Sequence, residues 1–237
     1  MIVQAFRRFG AFTAAAAMAS AMPVVAHAQQ SDAKTGSRFK EDRFSGQEER
    51  ARIALGRFGE CVSRIKRDEF PVFMADRSAE NWKAVMYFPN NQTRCAFENM
   101  QISTRSAQGA VAEGWYLAQY QEGMPPALAN YAPRLPSLAP AIARITAADK
   151  GDKPTAIVDE FARCGVSSAP TKVDAFLRSE VVSKQEAAAF AELSPELGPC
   201  AFEGQKLSFN MMGFRGAVAM AMVELALNPS MHDADEG

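Results

Sequence analysis

The chain has 237 residues, with 26 Lys and Arg against 27 Asp and Glu, and a formal charge of −1. That balance lacks the basic surplus of a nucleic-acid binder. Only two histidines occur, His27 and His232, so neither a Ser-His-Asp or Cys-His catalytic set nor a histidine zinc site assembles in the body between them.

Residues 1–28 read as a secretory signal peptide. Arg7 and Arg8 form a basic start, an alanine-rich stretch runs from Ala11 to Ala21, and Ala26-His27-Ala28 fits the small-x-small cleavage pattern. A membrane anchor is the poorer reading, because a span needs about 20 apolar residues. Cleavage near Ala28 would place the mature chain in the periplasm or outside the cell. Residues 29–46 are polar and without periodicity, a flexible leader.

From residue 47 the chain repeats itself once. Phe58-Gly-Glu-Cys61 returns as Phe161-Ala-Arg-Cys164, Cys95-Ala-Phe-Glu98 as Cys200-Ala-Phe-Glu203, and Gly109-Ala-Val-Ala112 as Gly216-Ala-Val-Ala219. The offset is 103 residues at the first motif, 105 at the second and 107 at the third. Each step is a short insertion of the kind loops accept. The expectation is a tandem duplication, with repeat 1 over 47–121 and repeat 2 over 155–228.

Within repeat 1, Ala54, Phe58, Cys61 and Ile65 share a helical face, with Leu55 and Val62 beside them. Asp68 to Ala75 reads as a short helix with its proline in the first turn. Ser78 caps a helix through Trp82, Val85 and Met86. Pro89-Asn-Asn91 makes a turn before Cys95, and a last helix follows with Val111, Trp115 and Ala118 on its face. Residues 122–154 are a proline-rich linker. Pro125, Pro126, Pro133, Pro136 and Pro140 exclude one long helix, and Leu128, Tyr131, Leu135, Leu138 and Ile142 are apolar enough to lie against the repeats. In repeat 2, Ser183-Lys-Gln-Glu186 is a capping box before a helix over Ala187 to Leu193. Pro195 to Pro199 makes the turn before Cys200. Phe214, Val218, Met222 and Leu225 form the face of the last helix. Residues 229–237 are an acidic tail. The fold class is all-α, two disulfide-stapled units of about four short helices each.

Four cysteines in an oxidising compartment read as two disulfides, and of the three possible pairings the repeat selects Cys61–Cys95 and Cys164–Cys200. Each closes a loop of about 35 residues, worth about 4 kcal/mol by chain entropy. A zinc site is the poorer alternative, since no two cysteines lie within a few residues of each other.

The third motif is divided between the copies. Copy one reads Gln108-Gly-Ala-Val-Ala-Glu113-Gly-Trp-Tyr116, and copy two Arg215-Gly-Ala-Val-Ala-Met220-Ala-Met-Val223. Here the chain resembles a group of uncharacterised exported proteins of alphaproteobacteria, of the sphingomonad type, whose repeats carry Phe-x-x-Cys, a second Cys and Arg-Gly-Ala-x-Ala-Glu-x-x-Tyr. The resemblance covers most of 50–120 and 155–227 and implies no activity. Copy one keeps Glu113 and Tyr116 without the arginine; copy two keeps Arg215 without the acid or the tyrosine. Two readings follow: Glu113 and Arg215 pair across a pseudo-twofold junction of the units, or both are ordinary exposed charges.

Other candidates each have a bland alternative. Glu98 and Glu203 are paired carboxylates suited to acid–base work, or exposed loop residues. Met211, Met212, Met220 and Met222 suggest copper, or adaptable core filler. Trp82, Trp115, Tyr116 and Tyr120 offer a contact surface in a cleft between two lobes, or core packing. The balance points to an exported, soluble, non-enzymatic module without metal or cofactor. Its interaction surface would include Glu113, Arg215, Trp115 and Tyr116, facing an envelope protein or a small ligand. The alternative is a histidine-independent hydrolase or lyase in which Glu98, Glu113 or Glu203 share a pocket.

Overall fold

The computed structural model describes residues 46–88, 95, 101–129, 131, 133, 135–201 and 210–228. Every regular element among them is helical. The first half of the chain carries α1 (Gly46–Ile65), α2 (Glu69–Ala75), α3 (Ala79–Met86) and α4 (Thr104–Gln119). Then come α5 (Pro126–Ala129) and α6 (Leu138–Ala147). The second half carries α7 (Lys153–Ser168), α8 (Pro170–Arg178), α9 (Lys184–Leu197), a 3-10 turn (Gly198–Cys200) and α10 (Met211–Leu227). The signal-peptide and leader segments, Pro89-Asn-Asn91, Glu98, Glu203 and the acidic tail lie outside the described residues.

The helices start where side chains satisfy free backbone N–H groups. Ser78 Oγ accepts from Asn81 N at 3.2 Å and Ser183 Oγ from Glu186 N at 3.1 Å. Ser103 Oγ accepts from Ser106 N at 3.1 Å and Asn210 Oδ1 from Gly213 N at 2.7 Å. Ser78 corresponds to Ser183 at an offset of 105, and Ser103 to Asn210 at 107, so α3 and α9, and α4 and α10, begin at equivalent positions. The expected capping box is half made. The Glu186 carboxylate takes Val182 N at 2.9 Å, and its other oxygen is drawn away by two arginines.

Disulfides tie α1 to the segment before α4 through Cys61–Cys95, and α7 to the 3-10 turn before α10 through Cys164–Cys200, with Cα–Cα distances of 5.4 and 5.6 Å. Both halves contribute to one continuous hydrophobic core, from Phe58, Phe70, Phe73 and Val85 through Val111 and Tyr116 to Phe176, Leu193, Phe214 and Met222. There is thus no cleft dividing two lobes at this contact. α10 lies at the centre: Phe214, Ala217, Val218, Ala219, Ala221, Met222, Val223 and Leu225 are buried around its circumference, as befits a helix apolar on all sides.

Close helix contact is made by missing side chains. A Cβ on Gly59 of α1 would collide with the backbone carbonyl of Ala110 in α4, and one on Gly114 would lie 2.6 Å from the Gly59 carbonyl carbon. This corrects the expected face of α1. The buried line runs through Leu55, Phe58, Gly59, Val62 and Ser63, while Ile65 is 50% exposed, because the approach is closest at the glycine. A second correction concerns α9, which continues through Pro195 to Leu197. Proline costs one hydrogen bond, but Leu193 and Leu197, four residues apart on one face, are both buried and hold the last turn in place.

The linker contains α5 and α6, and its prolines do interrupt it. Leu128 is buried at 1% exposure and Tyr131 packs on the core, whereas Leu135, Leu138 and Ile142 remain 57%, 43% and 53% exposed. α6, on which Ala141 is buried, is tied to α7 through Arg144, whose Nε and Nη2 donate to Glu160 at 2.8 Å.

Candidate functional site

The interior charge cluster forms where α8 ends. The last carbonyls of a helix lack intrahelical partners, and here a guanidinium from α10 supplies them. Arg215 Nη1 donates to Phe176 O at 2.9 Å, and Nη2 to Leu177 O at 2.6 Å and Ser179 O at 2.9 Å. A cation at this position also complements the helix dipole. The guanidinium lies over the Phe176 ring, 5.0 Å from its centroid.

Two carboxylates complete the shell. Arg215 Nε and Nη2 both donate to Glu113 Oε1 of α4, at 2.9 and 2.7 Å, and Nη1 donates to Glu186 Oε1 of α9 at 3.1 Å. Arg52 of α1 donates to the same Glu186 oxygen. Two arginines and two glutamates from α1, α4, α9 and α10 therefore share one hub. Arg215 is buried, and the Glu113 side chain keeps 14% of its exposure. The pair is made across the two halves, and the reading of Arg215 and Glu113 as ordinary exposed charges is set aside by their burial.

Burial pushes the Glu113 carboxyl above its ordinary pKa. The Arg215 charge and hydrogen bond oppose that rise, and the nearby Glu186 and Glu60 add to it. The cavity beside the cluster, lined by Arg52, Ser106, Glu113, Met212, Arg215 and Gly216 among others, has a volume of about 30 Å³. That is room for about one water. Glu113 and Glu186 converge as paired carboxylates do, but they do so on an arginine, in a space that admits no substrate.

Trp115 and Tyr116 belong to the core. Trp115 is 5% exposed and its Nε1 donates to Arg67 O at 2.9 Å; Tyr116 is fully buried and its hydroxyl donates to Asp174 Oδ1 at 2.7 Å. Asp174 in turn accepts from Arg178 Nε at 2.8 Å, and Arg178 Nη2 caps α4 at Tyr120 O, also at 2.8 Å. Burial and the Asp174 carboxylate both raise the Tyr116 pKa, against the weaker pull of Arg178. Of the four residues expected at an interaction surface, Arg215, Trp115 and Tyr116 are buried and Glu113 is half-buried, each with its polar partner inside the fold.

Further ion pairs carried no signal in the sequence. Arg77 Nη2 meets Glu224 Oε2 at 2.9 Å, and Arg163 Nη2 meets the same oxygen at 3.0 Å. Arg105 pairs with Asp159. No buried side-chain nitrogen or oxygen among the described residues lacks a partner.

Of the solvent-open depressions among the described residues, two lie between α4 and a long neighbouring helix. One, of about 190 Å³, lies where α4 and α10 cross, lined by Arg77, Arg105, Gln108, Asp159, Met212 and Met220 among others. The other, of about 500 Å³, runs between the end of α1 and α4, lined by Glu60, Ser63, Arg64, Arg67, Gly114, Trp115, Leu117, Ala118, Gln119 and Gln121. Its rim is braced by Arg67 Nε donating to Gln119 Oε1 at 3.0 Å. Of the methionines, Met222 is fully buried while Met211, Met212 and Met220 are half-buried against the core. Among the described residues no three His, Cys, Asp or Glu side chains gather as metal ligands, and no helix is long and apolar enough to cross a membrane. No family model, no curated protein and no solved structure matches this chain.

Proposed function

We propose that this chain is an exported, soluble, non-enzymatic helical module of the bacterial envelope, which binds a small ligand or a side chain of an envelope partner in the groove between α1 and α4. The observation that carries the reading is the groove itself. It offers about 500 Å³, within the range of small-molecule sites. Trp115, Arg64, Arg67 and Glu60 are among the residues that line it. A lining that combines an aromatic side chain with two arginines suits a flat or apolar group that carries an acid.

Export is supported by the amino-terminal segment and by two disulfides, which persist in oxidising compartments. The resemblance to exported sphingomonad-type repeat proteins agrees with the same compartment. A binding role is favoured over hydrolysis because Glu113 and Glu186 are held by arginine in a cavity of about 30 Å³.

The experiment is purification of the native protein from an envelope extract, with mass spectrometry of co-purifying proteins and small molecules. The comparison is an Ala118→Trp, Arg64→Glu variant. Both changes lie on exposed positions of the groove wall, so the fold is expected to survive them. A stoichiometric companion that the variant loses supports the reading. An empty wild-type protein, or a companion retained by the variant, overturns it.

A further inference from the structure

Gly109 of α4 and Gly216 of α10 occupy the same place in the repeated Gly-Ala-Val-Ala motif, and they meet each other: a Cβ on Gly109 would lie 2.5 Å from the Gly216 Cα. When two copies of one unit pack face to face, equivalent residues touch only on a twofold axis. The surroundings of this contact obey the same relation. Ala110, Glu113, Met212 and Arg215 line the small cavity of about 30 Å³. Shifted by the offset of 107, they become Ala217, Met220, Arg105 and Gln108, and all four line the open groove of about 190 Å³. Gly216 lines both. The two cavities are mates across the axis. The smaller holds the Glu113–Arg215 ion pair, and the larger has Met220 and Gln108 in the corresponding places.

We infer that α4 and α10 form a homodimer-type interface folded into a single chain, in which an ion pair that symmetry would make twice is made once. The first half supplies only the acid, Glu113, and the second only the arginine, Arg215. Gln108 and Met220 stand at the vacated position. The consequence is selectivity of pairing. Two first halves would bury Glu113 against Gln108 with no cation between them, and two second halves would set Arg215 against the Met220 thioether. Only unlike halves satisfy both charges, which is discrimination by disfavouring the wrong pairing. The partner that this face fits is the opposite half and no second copy of itself.

The test is a mutant cycle on the full-length chain with its disulfides intact. Gln108→Arg and Met220→Glu are made singly and together, and thermal melting is measured. Each single variant adds a half-buried charge without its mate across the axis and lowers Tm by about 3 °C. The double variant recovers at least about half of the summed loss, because it rebuilds the missing pair. Gln108→Arg with Met212→Glu is the control, since Met212 borders the same groove but is the mate of Arg105. Additive losses in the first cycle would overturn the inference. So would equal rescue in the control, which would mean general charge attraction without a twofold position.

Discussion

Arg215 and Glu113, 102 residues apart, meet at 2.7 Å inside the contact between α10 and α4. The two partners do not contribute equally. Arg215 also serves Glu186 and three backbone carbonyls at the end of α8, whereas for Glu113 the cost of burial outweighs the arginine's attraction. Arg215→Ala is expected to lose about 3–5 kcal/mol, since it leaves Glu113 without a cation, takes one of two arginines from Glu186 and strips the carbonyls at the end of α8 of a shared donor. Arg215→Lys should recover little, because an ammonium lacks the planar fork. Glu113→Gln should cost no more than about 1 kcal/mol near neutral pH, the amide oxygen still accepting from Arg215. Urea unfolding of the three variants checks the order; equal losses for Arg215→Ala and Glu113→Gln would contradict it.

The same imbalance sets a pH dependence. Because Glu113 has a raised pKa in the fold, the native state holds its proton more tightly than the unfolded chain does. Its contribution to stability is therefore fully present below the ordinary value of 4.5 and is lost as pH rises through the native value. Glu113→Gln, which stays neutral, should gain on the wild type as pH rises from about 4.5 towards neutrality. Parallel stability–pH curves for the two proteins would count against this.

Tyr116 provides the alkaline counterpart. Its hydroxyl is buried and donates to Asp174, and both effects hold the phenolic proton. The unfolded tyrosine ionises near pH 10 while the native one does not, so stability falls as pH rises beyond about 10. Absorbance titration at 295 nm should show Tyr116 ionising only with unfolding. Tyr116→Phe should lose about 1.5–3 kcal/mol at neutral pH, for a hydrogen bond to a charged acceptor, and should flatten the alkaline slope.

At the crossing of α4 and α10 a methyl group has nowhere to go. Gly109→Ala would place its Cβ 2.5 Å from the Gly216 Cα and 3.0 Å from its carbonyl carbon, all backbone atoms. The usual gain from replacing a helical glycine, about 1 kcal/mol, should be reversed into a net loss of about 1–3 kcal/mol. Gly56→Ala is the control. Its Cβ would meet only a Val181 methyl at 3.9 Å, so it should be neutral or stabilising. Thermal melting of the two variants separates the outcomes.

What the sequence determined by itself is local or covalent. Ser78 and Ser183 announce their helices, because a cap is read within four residues. The repeat order assigns Cys61 to Cys95 and Cys164 to Cys200, because each bond closes within one copy. Only the tertiary structure decided the rest. The buried face of α1 follows Gly59, whose lack of a side chain carries no hydrophobic signal until α4 is laid against it. Pro195 continues a helix because Leu193 and Leu197 are buried on the same face. Arg215 and Tyr116 turn inward because Glu113, Glu186 and Asp174 arrive from distant helices, and a polar group is buried only where such partners meet it. The divided motif allowed the Glu113–Arg215 meeting without deciding it, and composition and spacing along one chain gave no sign of Glu186 or Asp174 joining. The meeting is set by the crossing of α4 and α10 at Gly109 and Gly216, and the charge cluster takes its geometry from there.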